Sequence, residues 1–234
     1  MKNIQEVLVL KVGTSTLVSE DSNTLDTASF ERIGKQLDRV RAAGRGVILV
    51  SSAARKRLPS VGWQRIVQLW DNATATTTEN FLLADHELDT AGGCARLLHA
   101  ALAGRLAIVN AHDDVLVEGS PYVSNDLVGA AIARHVAGAG LAVELGMLSD
   151  VPGVLADIND HSSVIPTIHN LEAYRHLAGT TASSGAAGGM TTKFDAAQLV
   201  ASAGAETWIA HGRVENAVEL AMTGQIGTRF SCLG

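Results

Sequence analysis

Short apolar, β-branched runs alternate along this chain with longer stretches whose apolar residues recur at helical spacing. The run at 7–10 is continuous, as expected for a strand buried on both faces of a sheet. Helical spacing follows at 27–43, and a second apolar run follows at 47–50. Because β-α-β units of this kind build parallel sheets, the pattern predicts an α/β fold with a mainly parallel central sheet.

The alternation continues through the rest of the chain. It predicts helices at 61–70, 89–102, 127–138 and 193–204, and strands at 106–109, 141–148 and 207–210. Residues 151–190 are rich in loop-forming residues, yet no linker divides the chain. We therefore predict one domain that spans residues 1–234.

Four of the predicted strands end in small or polar residues. These ends are Lys11-Val-Gly13, Ser51-Ser52, Asn110 and Ser149-Asp150. In open parallel sheets, ligands bind beyond the carboxyl ends of the strands. We expect the four ends to converge on one site.

Composition limits the classes of partner. Of the 234 residues, 47% are hydrophobic and 18% are charged, which is enough for a sizeable buried core. The net charge of −6 argues against a nucleic-acid-binding or anionic-membrane-binding protein, since both need a concentrated basic face. The sequence shows neither a membrane span nor a signal-peptide layout. We expect a soluble, cytoplasmic protein whose partner is a small molecule.

The cysteines and histidines indicate no metal centre. Cys94 and Cys232 have neither metal-ligand spacing nor a disulfide framework, which is typical of a reducing cytoplasm. Five histidines are scattered without ligand spacing: His86, His99, His135, His169 and His211. The sequence therefore predicts no metal ion held by the protein's own side chains.

A lysine and a glycine directly follow the first predicted strand, in Lys11-Val-Gly13-Thr14-Ser15. Gly13 allows a sharp turn and a close approach of the backbone to a ligand, and Thr14 and Ser15 add amide and hydroxyl donors. The motif is not a Walker loop, because its lysine precedes the glycine. Two interpretations stand at this point, an anion site and a solvated lysine beside an ordinary turn.

The segment 183–193 carries the most specific local signal in the chain. Its glycines, its two threonines and the N-terminus of the helix predicted to begin at Lys193 together make an anion cradle. Lys193 would then hold a transferring phosphoryl group. The alternative interpretation is a flexible surface loop.

Two acidic patches follow the strand that ends at Asn110. Asp113 and Asp114 lie in the first, where they are candidate ligand contacts or solvated turn carboxylates. Asp126 lies in the second, at the start of the helix predicted at 127–138. It is either the N-cap of that helix or an organiser of catalysis, and the two roles are compatible.

The chain lacks the signs of a protein nucleophile. No G-x-S-x-G elbow is present, and neither cysteine has a persuasive neighbouring base. The chemistry that remains is the handling of phosphate by lysines and backbone donors. Phosphoryl transfer suits such a site, because it needs positioning and charge neutralisation more than a nucleophilic side chain.

The chain resembles the amino-acid kinase family, and most closely its glutamate 5-kinase group. The resemblance rests on six segments that occur in the order typical of the family and span nearly the whole chain. The segments are Lys11-Val-Gly-Thr-Ser15, Val50-Ser-Ser52, Val109-Asn110 with Asp113, Asn125-Asp126, Ser149-Asp150-Val-Pro-Gly153-Val and Gly188-Gly-Met-Thr-Thr-Lys193. The last segment is the most specific, and the first is next.

The resemblance implies a three-layer αβα sandwich, with the acceptor amino acid in the N-terminal half and ATP at about 140–234. It implies transfer of the γ-phosphoryl group of ATP to the γ-carboxylate of L-glutamate, the first step toward proline. Mg²⁺ would be carried largely by the nucleotide. Dimers or tetramers are common among the proteins that this chain resembles, so a homo-oligomer is implied.

The resemblance also assigns roles to residues. Lys11 and Lys193 would stabilise charge on the transferring phosphoryl group, and Asp126 would orient the lysines. ATP would be bound by Lys11, Gly13, Ser149, Asp150, Gly188, Gly189, Met190, Thr191, Thr192 and Lys193. The acceptor would be held by Ser52, Ala53, Asp113 and Asn125.

Several segments depart from the family's pattern. Ala53 stands where glycine is usual, Ala111-His112 replaces the usual Glu-Asn, and Ala186-Ala187 replaces Gly-Thr in the phosphate loop. The chain is also shorter between residues 54 and 61, and we expect a kinase domain without an RNA-binding-type domain after it. Two alternatives follow, a kinase of another small acid or phosphate acceptor and a noncatalytic nucleotide-binding regulatory relative.

Overall fold

The computed structural model describes residues 4–19, 21–52, 58, 60–111, 122, 124–180 and 189–231. They form an eight-stranded sheet between two layers of helices, which confirms the predicted αβα sandwich. The strands are β1 (Glu6–Val12), β2 (Gly46–Ser51), β3 (Thr78–Leu83), β4 (Leu106–Ala111), β5 (Ala142–Ser149), β6 (Thr167–Ile168), β7 (Glu206–His211) and β8 (Thr228–Phe230). The helices are α1 (Thr14–Leu17), α2 (Thr27–Ala42), α3 (Trp63–Ala73), α4 (Asp85–Leu88), α5 (Ala91–Leu102), α6 (Asn125–Gly138), α7 (Leu171–Tyr174), a 3-10 helix (Arg175–Thr180), α8 (Met190–Ala201) and α9 (Ala217–Met222).

The sheet is mainly parallel, with strand order β3-β4-β2-β1-β5-β7-β8-β6. Only the β7–β8 pair is antiparallel among the strand pairs that the described residues form. In this register, Lys11 lies between Val50 and Met147, and Ser149 lies beside His211. The carboxyl ends of β1, β2, β4, β5 and β7 therefore lie along one edge of the sheet, as the strand-end pattern predicted.

Alternation along β1 divides the core between the two faces of the sheet. Val7 and Val9 pack beneath α5, α6 and α8, whereas Leu8 and Leu10 pack beneath α2, α3 and α9. Successive side chains of a strand point to opposite faces, so Lys11 shares the face of Val7 and Val9. Its side chain consequently extends toward α6 rather than toward α2.

Small residues let α6 and α8 pack closely on the sheet and on each other. Ala196 and Ala197 of α8 are buried. In α6, a Cβ placed on Gly129 would lie 3.0 Å from Leu145 Cδ1 and 3.9 Å from Lys11 Cβ, so the helix backbone lies close to the sheet at this residue. This packing holds the first turns of α6 and α8 beside the end of β1.

Two helices begin earlier than the sequence predicts. Helix α6 starts at Asn125 rather than 127, because Ser124 is its N-cap and accepts a hydrogen bond from the Leu127 N–H. Helix α8 starts at Met190, after an extended Gly189, so the predicted start at Lys193 is wrong. Lys193 therefore lies inside the first turn of α8, where its side chain is covered.

Strands β3, β6 and β8 were not predicted. The first half of β3 is polar, and the strand lies at the edge of the sheet with several half-exposed residues. Strands β6 and β8 have two and three residues, which is too short for a periodic signal. Within the described ranges, no helix combines the length and the apolar character needed to cross a membrane.

The contact between α2 and α3 depends on a glycine, and this can be tested. A Cβ on Gly34 would lie 2.3 Å from the carbonyl oxygen of Ala73, so we expect Gly34→Ala to lower the free energy of unfolding by about 1–3 kcal/mol. Gly138 also lies in a helix, but nothing is within 4 Å of its Cβ position. There, we expect Gly138→Ala to raise stability by about 0.5 kcal/mol, because alanine favours helix. Urea denaturation of both variants measures the difference, and equal effects would contradict the packing argument.

Candidate active site

Lys11, Asp126 and Lys193 meet at the carboxyl edge of the sheet. Lys11 Nζ lies 2.8 Å from Asp126 Oδ1, and Lys193 Nζ lies 3.2 Å from Asp126 Oδ2. Asp126 is fully buried, and Lys11 and Lys193 are only 8% and 3% exposed. Two buried ammonium groups thus share one carboxylate, which leaves an excess of positive charge when all three are ionised.

Three separate elements supply these side chains. Lys11 lies near the end of β1, Asp126 is the second residue of α6, and Lys193 is the fourth residue of α8. The N-cap interpretation of Asp126 is wrong, because the side chain of Ser124 caps α6. The carboxylate of Asp126 instead turns inward to the two lysines.

Thr192 supports the same carboxylate. Its hydroxyl donates to Asp126 Oδ2 across 2.8 Å and also lies 2.9 Å from the carbonyl oxygen of Gly189. Adjacent residues of α8, Thr192 and Lys193, therefore both contact Oδ2 while Lys11 contacts Oδ1. Each oxygen of Asp126 thus has a lysine partner, and the carboxylate in turn holds both lysines in place.

The charges set the ionisation of the group. Burial alone would raise the pKa of Asp126, but the charges of Lys11 and Lys193, with hydrogen bonds from Lys11 and Thr192, lower it to about 2. Burial lowers the pKa of Lys193, and the nearby charge of Asp126 offsets only part of that effect. Asp126 is therefore a carboxylate at neutral pH, and an anion near Lys193 would favour the charged form of that lysine.

The turn after β1 connects this group to the end of β2. A Cβ on Gly13 would lie 3.3 Å from Lys11 Nζ, so the backbone at Gly13 passes directly beside the ammonium group. Thr14 Oγ1 and Ser52 Oγ lie 2.6 Å apart and share a hydrogen bond. Gly13 is predicted to bind the nucleotide and Ser52 the acceptor. The hydrogen bond from Thr14, the residue after Gly13, therefore links the two predicted binding regions.

Three more residues predicted to bind the nucleotide, Ser149, Asp150 and Gly189, lie on the same edge of the sheet. Ser149 is buried and its hydroxyl donates to Asp150 Oδ1 across 3.1 Å. The charge of Asp150 is among those that act on the pKa of Lys193, raising it. Gly189 is the N-cap of α8 and has no side chain to cap it, so among the described residues no N-cap side chain bonds to the first N–H groups of the helix. An uncapped helix start beside a buried lysine is suited to an anion.

Two further residues predicted to bind the nucleotide lie in the first turn of α8. Met190 is buried in the core beneath α6, and Thr191 is exposed. Asn125, predicted to hold the acceptor, is the first residue of α6 and is half-buried. Three predicted site residues, Ala53, Asp113 and Gly188, lie outside the described residues.

The structure also draws attention to Asn110, which the sequence placed among the polar strand ends but not among the binding residues. It lies near the end of β4, is 3% exposed, and its Oδ1 accepts no hydrogen bond from the described residues. Leaving a buried acceptor without a donor costs stability. The signal available in the sequence was a polar residue at the end of an otherwise apolar strand.

No cluster of three or more histidine, cysteine, aspartate or glutamate side chains suited to a metal ion occurs in the described part of the chain.

Comparison with known proteins identifies relatives by sequence. No family model matches the chain. A glutamate 5-kinase from Paraburkholderia xenovorans (strain LB400) is 30% identical over 256 residues, an alignment that covers 95% of this chain and 67% of that protein.

Two solved structures share the fold along almost their whole length. A carbamate kinase from Giardia lamblia bound to AMP-PNP superimposes with a TM-score of 0.62 and 16% identity, covering 99% of each chain. A UMP kinase from Bacillus anthracis superimposes with a TM-score of 0.65 and 13% identity, covering 98% of this chain and 97% of that one. At these identities the likeness shows the fold alone.

The ionisation of Asp126 predicts how stability depends on pH. Its folded pKa of about 2 lies below the ordinary 3.8, so its stabilising contribution is complete above the ordinary value and is lost as pH falls toward 2. The difference corresponds to about 2 kcal/mol. We expect Asp126→Asn to be less stable near neutral pH and to lack this part of the acid-induced loss.

Urea denaturation at about pH 6 and about pH 2.5 measures that loss. The matched control is Asp21→Asn, which removes a carboxylate that is exposed to solvent. We expect the control to keep the pH dependence of the wild type. An equally large acid-induced loss in Asp126→Asn would contradict the assignment.

Proposed function

This chain belongs to the glutamate 5-kinase group of the amino-acid kinase family, and we propose that it phosphorylates the γ-carboxylate of L-glutamate with ATP. The products would be γ-glutamyl phosphate and ADP. The observation that carries the proposal is the buried carboxylate of Asp126 between Lys11 and Lys193. The 30% identity to a glutamate 5-kinase supports the same conclusion.

The charge of the three side chains suits a phosphoryl group. Negative charge spreads over the oxygens of the transferring group, and catalysis depends mainly on positioning and on neutralising that charge. Two buried ammonium groups with one carboxylate supply that excess of positive charge where water is largely excluded. We therefore assign Lys11 and Lys193 to the transferring phosphoryl group and Asp126 to the orientation of both lysines.

The ionisation of Asp126 favours a carboxylate acceptor. A hydroxyl acceptor needs a general base, and efficient bases have a pKa near the working pH. With a pKa of about 2 and an ammonium group on each oxygen, Asp126 is a poor base. The γ-carboxylate of glutamate is already ionised at neutral pH and needs no base.

The reaction would then be a single displacement. A γ-carboxylate oxygen of glutamate attacks the γ-phosphorus of ATP, a new P–O bond forms, and the bond from that phosphorus to the β–γ bridging oxygen breaks. The electron pair of the broken bond leaves with ADP. Lys11 and Lys193 neutralise charge during the transfer, and the N–H groups at the start of α8 face the phosphates.

We assign the acceptor to the N-terminal half of the domain and the nucleotide to about 140–234. Ser52 is placed by its hydrogen bond with Thr14, and Asn125 lies next to Asp126 in α6. Asn110 Oδ1 accepts no hydrogen bond from the described residues and is suited to accept one from a donor of the acceptor molecule, such as an ammonium group. Ser149 and Asp150 would contact the nucleotide.

Mg²⁺ fits this proposal as a companion of the nucleotide. The described carboxylates form no metal cluster, and Asp126 is already engaged by two lysines. We propose that the phosphates of ATP supply most of the ligands of the ion. When bound, the ion would neutralise further phosphate charge.

The first test measures ADP release with Mg-ATP and glutamate while hydroxylamine traps any acyl phosphate. We expect ADP release that depends on glutamate, together with a stoichiometric hydroxamate. Aspartate is the matched control, because it has the same groups with one methylene fewer. ADP release with a different small acid alone would contradict glutamate as the acceptor, and no release with any acceptor would contradict the kinase activity itself.

The second test removes the charge of each lysine. Lys11→Met and Lys193→Met fill most of the buried volume without an ammonium group, and we expect each to lower kcat about a hundredfold or more. Lys35→Met is the matched control, since Lys35 is exposed on α2, and we expect it to keep the wild-type rate. Near-normal rates in both buried variants would overturn the assignment of the lysines.

A further inference from the structure

Arg213, which is distant in sequence, makes hydrogen bonds to the segment that follows β1. Its Nη2 donates to the carbonyl oxygens of Ser15 and Val18, across 3.1 Å and 3.0 Å. Ser15 lies in α1, a helix of only four residues, and Val18 immediately follows it. So short a helix has little stability of its own, and its last carbonyl groups need partners from elsewhere.

The segment 211–213 that presents Arg213 is itself fixed at the carboxyl edge of the sheet. The Gly212 N–H donates to Ser149 O across 2.8 Å, and Arg32 Nη2 donates to Gly212 O across 2.8 Å. The Arg213 N–H donates to His211 Nδ1 across 3.1 Å. Both backbone groups of Gly212 are therefore engaged, so Arg213 projects from a rigid base that is tied to the end of β5.

Helix α1 lies directly on this segment. A Cβ on Gly212 would lie 2.6 Å from Thr16 Cγ2 and 2.7 Å from Thr16 Oγ1, so only glycine leaves room for the contact. The same helix begins at Thr14, which bonds to Ser52, and follows Gly13, which lies beside Lys11. The end of helix α1 thus contacts Arg213, and its start lies next to the buried Lys11.

We propose that Arg213 is a positioning residue for phosphoryl transfer, an inference that rests on the proposed function. By holding the carbonyls of Ser15 and Val18, it fixes α1 and thereby the positions of Gly13 beside Lys11 and of Thr14 beside Ser52. Its guanidinium acts through the chain and contacts neither the phosphoryl group nor the acceptor. Displacing catalytic groups by about 1 Å costs on the order of a hundredfold in rate, so the loss of this anchor should be measurable.

Other contacts keep α1 folded when Arg213 is replaced. Leu17 is buried in the core beneath α2, and its carbonyl accepts a hydrogen bond from the Asp26 N–H across 2.9 Å. The Val18 N–H donates to Thr14 O across 3.0 Å. We therefore expect a variant of Arg213 to retain the fold, while the turn at the start of α1 becomes less ordered.

The test compares Arg213→Gln and Arg213→Lys with a matched control, Arg229→Gln. Arg229 Nη2 donates to the carbonyls of Ala221 and Met222 at the end of another short helix, α9, and its Nη1 pairs with Glu206. Helix α9 covers the face of the sheet opposite to that of Lys11. Three quantities are measured for the full chain: steady-state kcat and KM for ATP and glutamate, the Kd for AMP-PNP by calorimetry, and amide hydrogen exchange of residues 14–19.

We expect Arg213→Gln to lower kcat by about tenfold to a hundredfold, to weaken AMP-PNP binding by about tenfold, and to speed exchange at 14–19. Arg213→Lys should recover part of each effect, because an ammonium group reaches one of the two carbonyls. Arg229→Gln should change only the melting temperature. Wild-type kcat and Kd in Arg213→Gln, or equal losses in Arg229→Gln, would overturn the proposal.

These readouts separate the inference from the proposed function. If the wild type binds AMP-PNP but phosphorylates no glutamate, the proposed acceptor is wrong, while the Kd of Arg213→Gln still decides the role of Arg213. A weaker Kd in that variant with accelerated exchange at 14–19 supports positioning. If the wild type phosphorylates no glutamate, an unchanged Kd in that variant contradicts it.

Discussion

Two ammonium groups and one carboxylate are buried together where β1, α6 and α8 meet, and the surrounding packing serves to make that burial tolerable. Removing charges from water is costly unless they are paired and hydrogen-bonded. Asp126 meets this condition with a lysine on each oxygen and the Thr192 hydroxyl beside one of them. The glycine and alanine residues that bring α6 and α8 against the sheet are what allow three distant parts of the chain to supply these groups.

The same interaction gives a physical reason for the chemistry proposed. A carboxylate clamped by two lysines is held in its ionised form, so it directs cations rather than accepting protons. Such a centre suits an acceptor that arrives already ionised. Under the proposed function, the charge balance of the core would therefore contribute to the choice of substrate.

The sequence predicted the layers and the convergence of strand ends because both follow from local periodicity. The phase of the apolar run at 7–10 even places Lys11 on the face that α6 covers. The prediction from local pattern was wrong for Asp126. Helix α6 begins two residues earlier than predicted, so its N-cap is Ser124. The local pattern also failed to predict β3, whose half-exposed edge position leaves little apolar signal. The roles of the site residues stay predictions, since they depend on contacts between segments that no local pattern encodes.

The hydrogen bond between Thr14 and Ser52 has a thermodynamic consequence. The helix that begins at Thr14 lies beside Lys11, which is assigned to the nucleotide, and Ser52 is assigned to the acceptor. Under these assignments, a substrate that orders its own binding residues would also order those of the other substrate. Linkage then requires reciprocity: any factor by which bound nucleotide tightens the acceptor is the factor by which acceptor tightens the nucleotide. A single pair of hydroxyl groups would thus make the two substrates cooperative, with no movement between the halves of the domain.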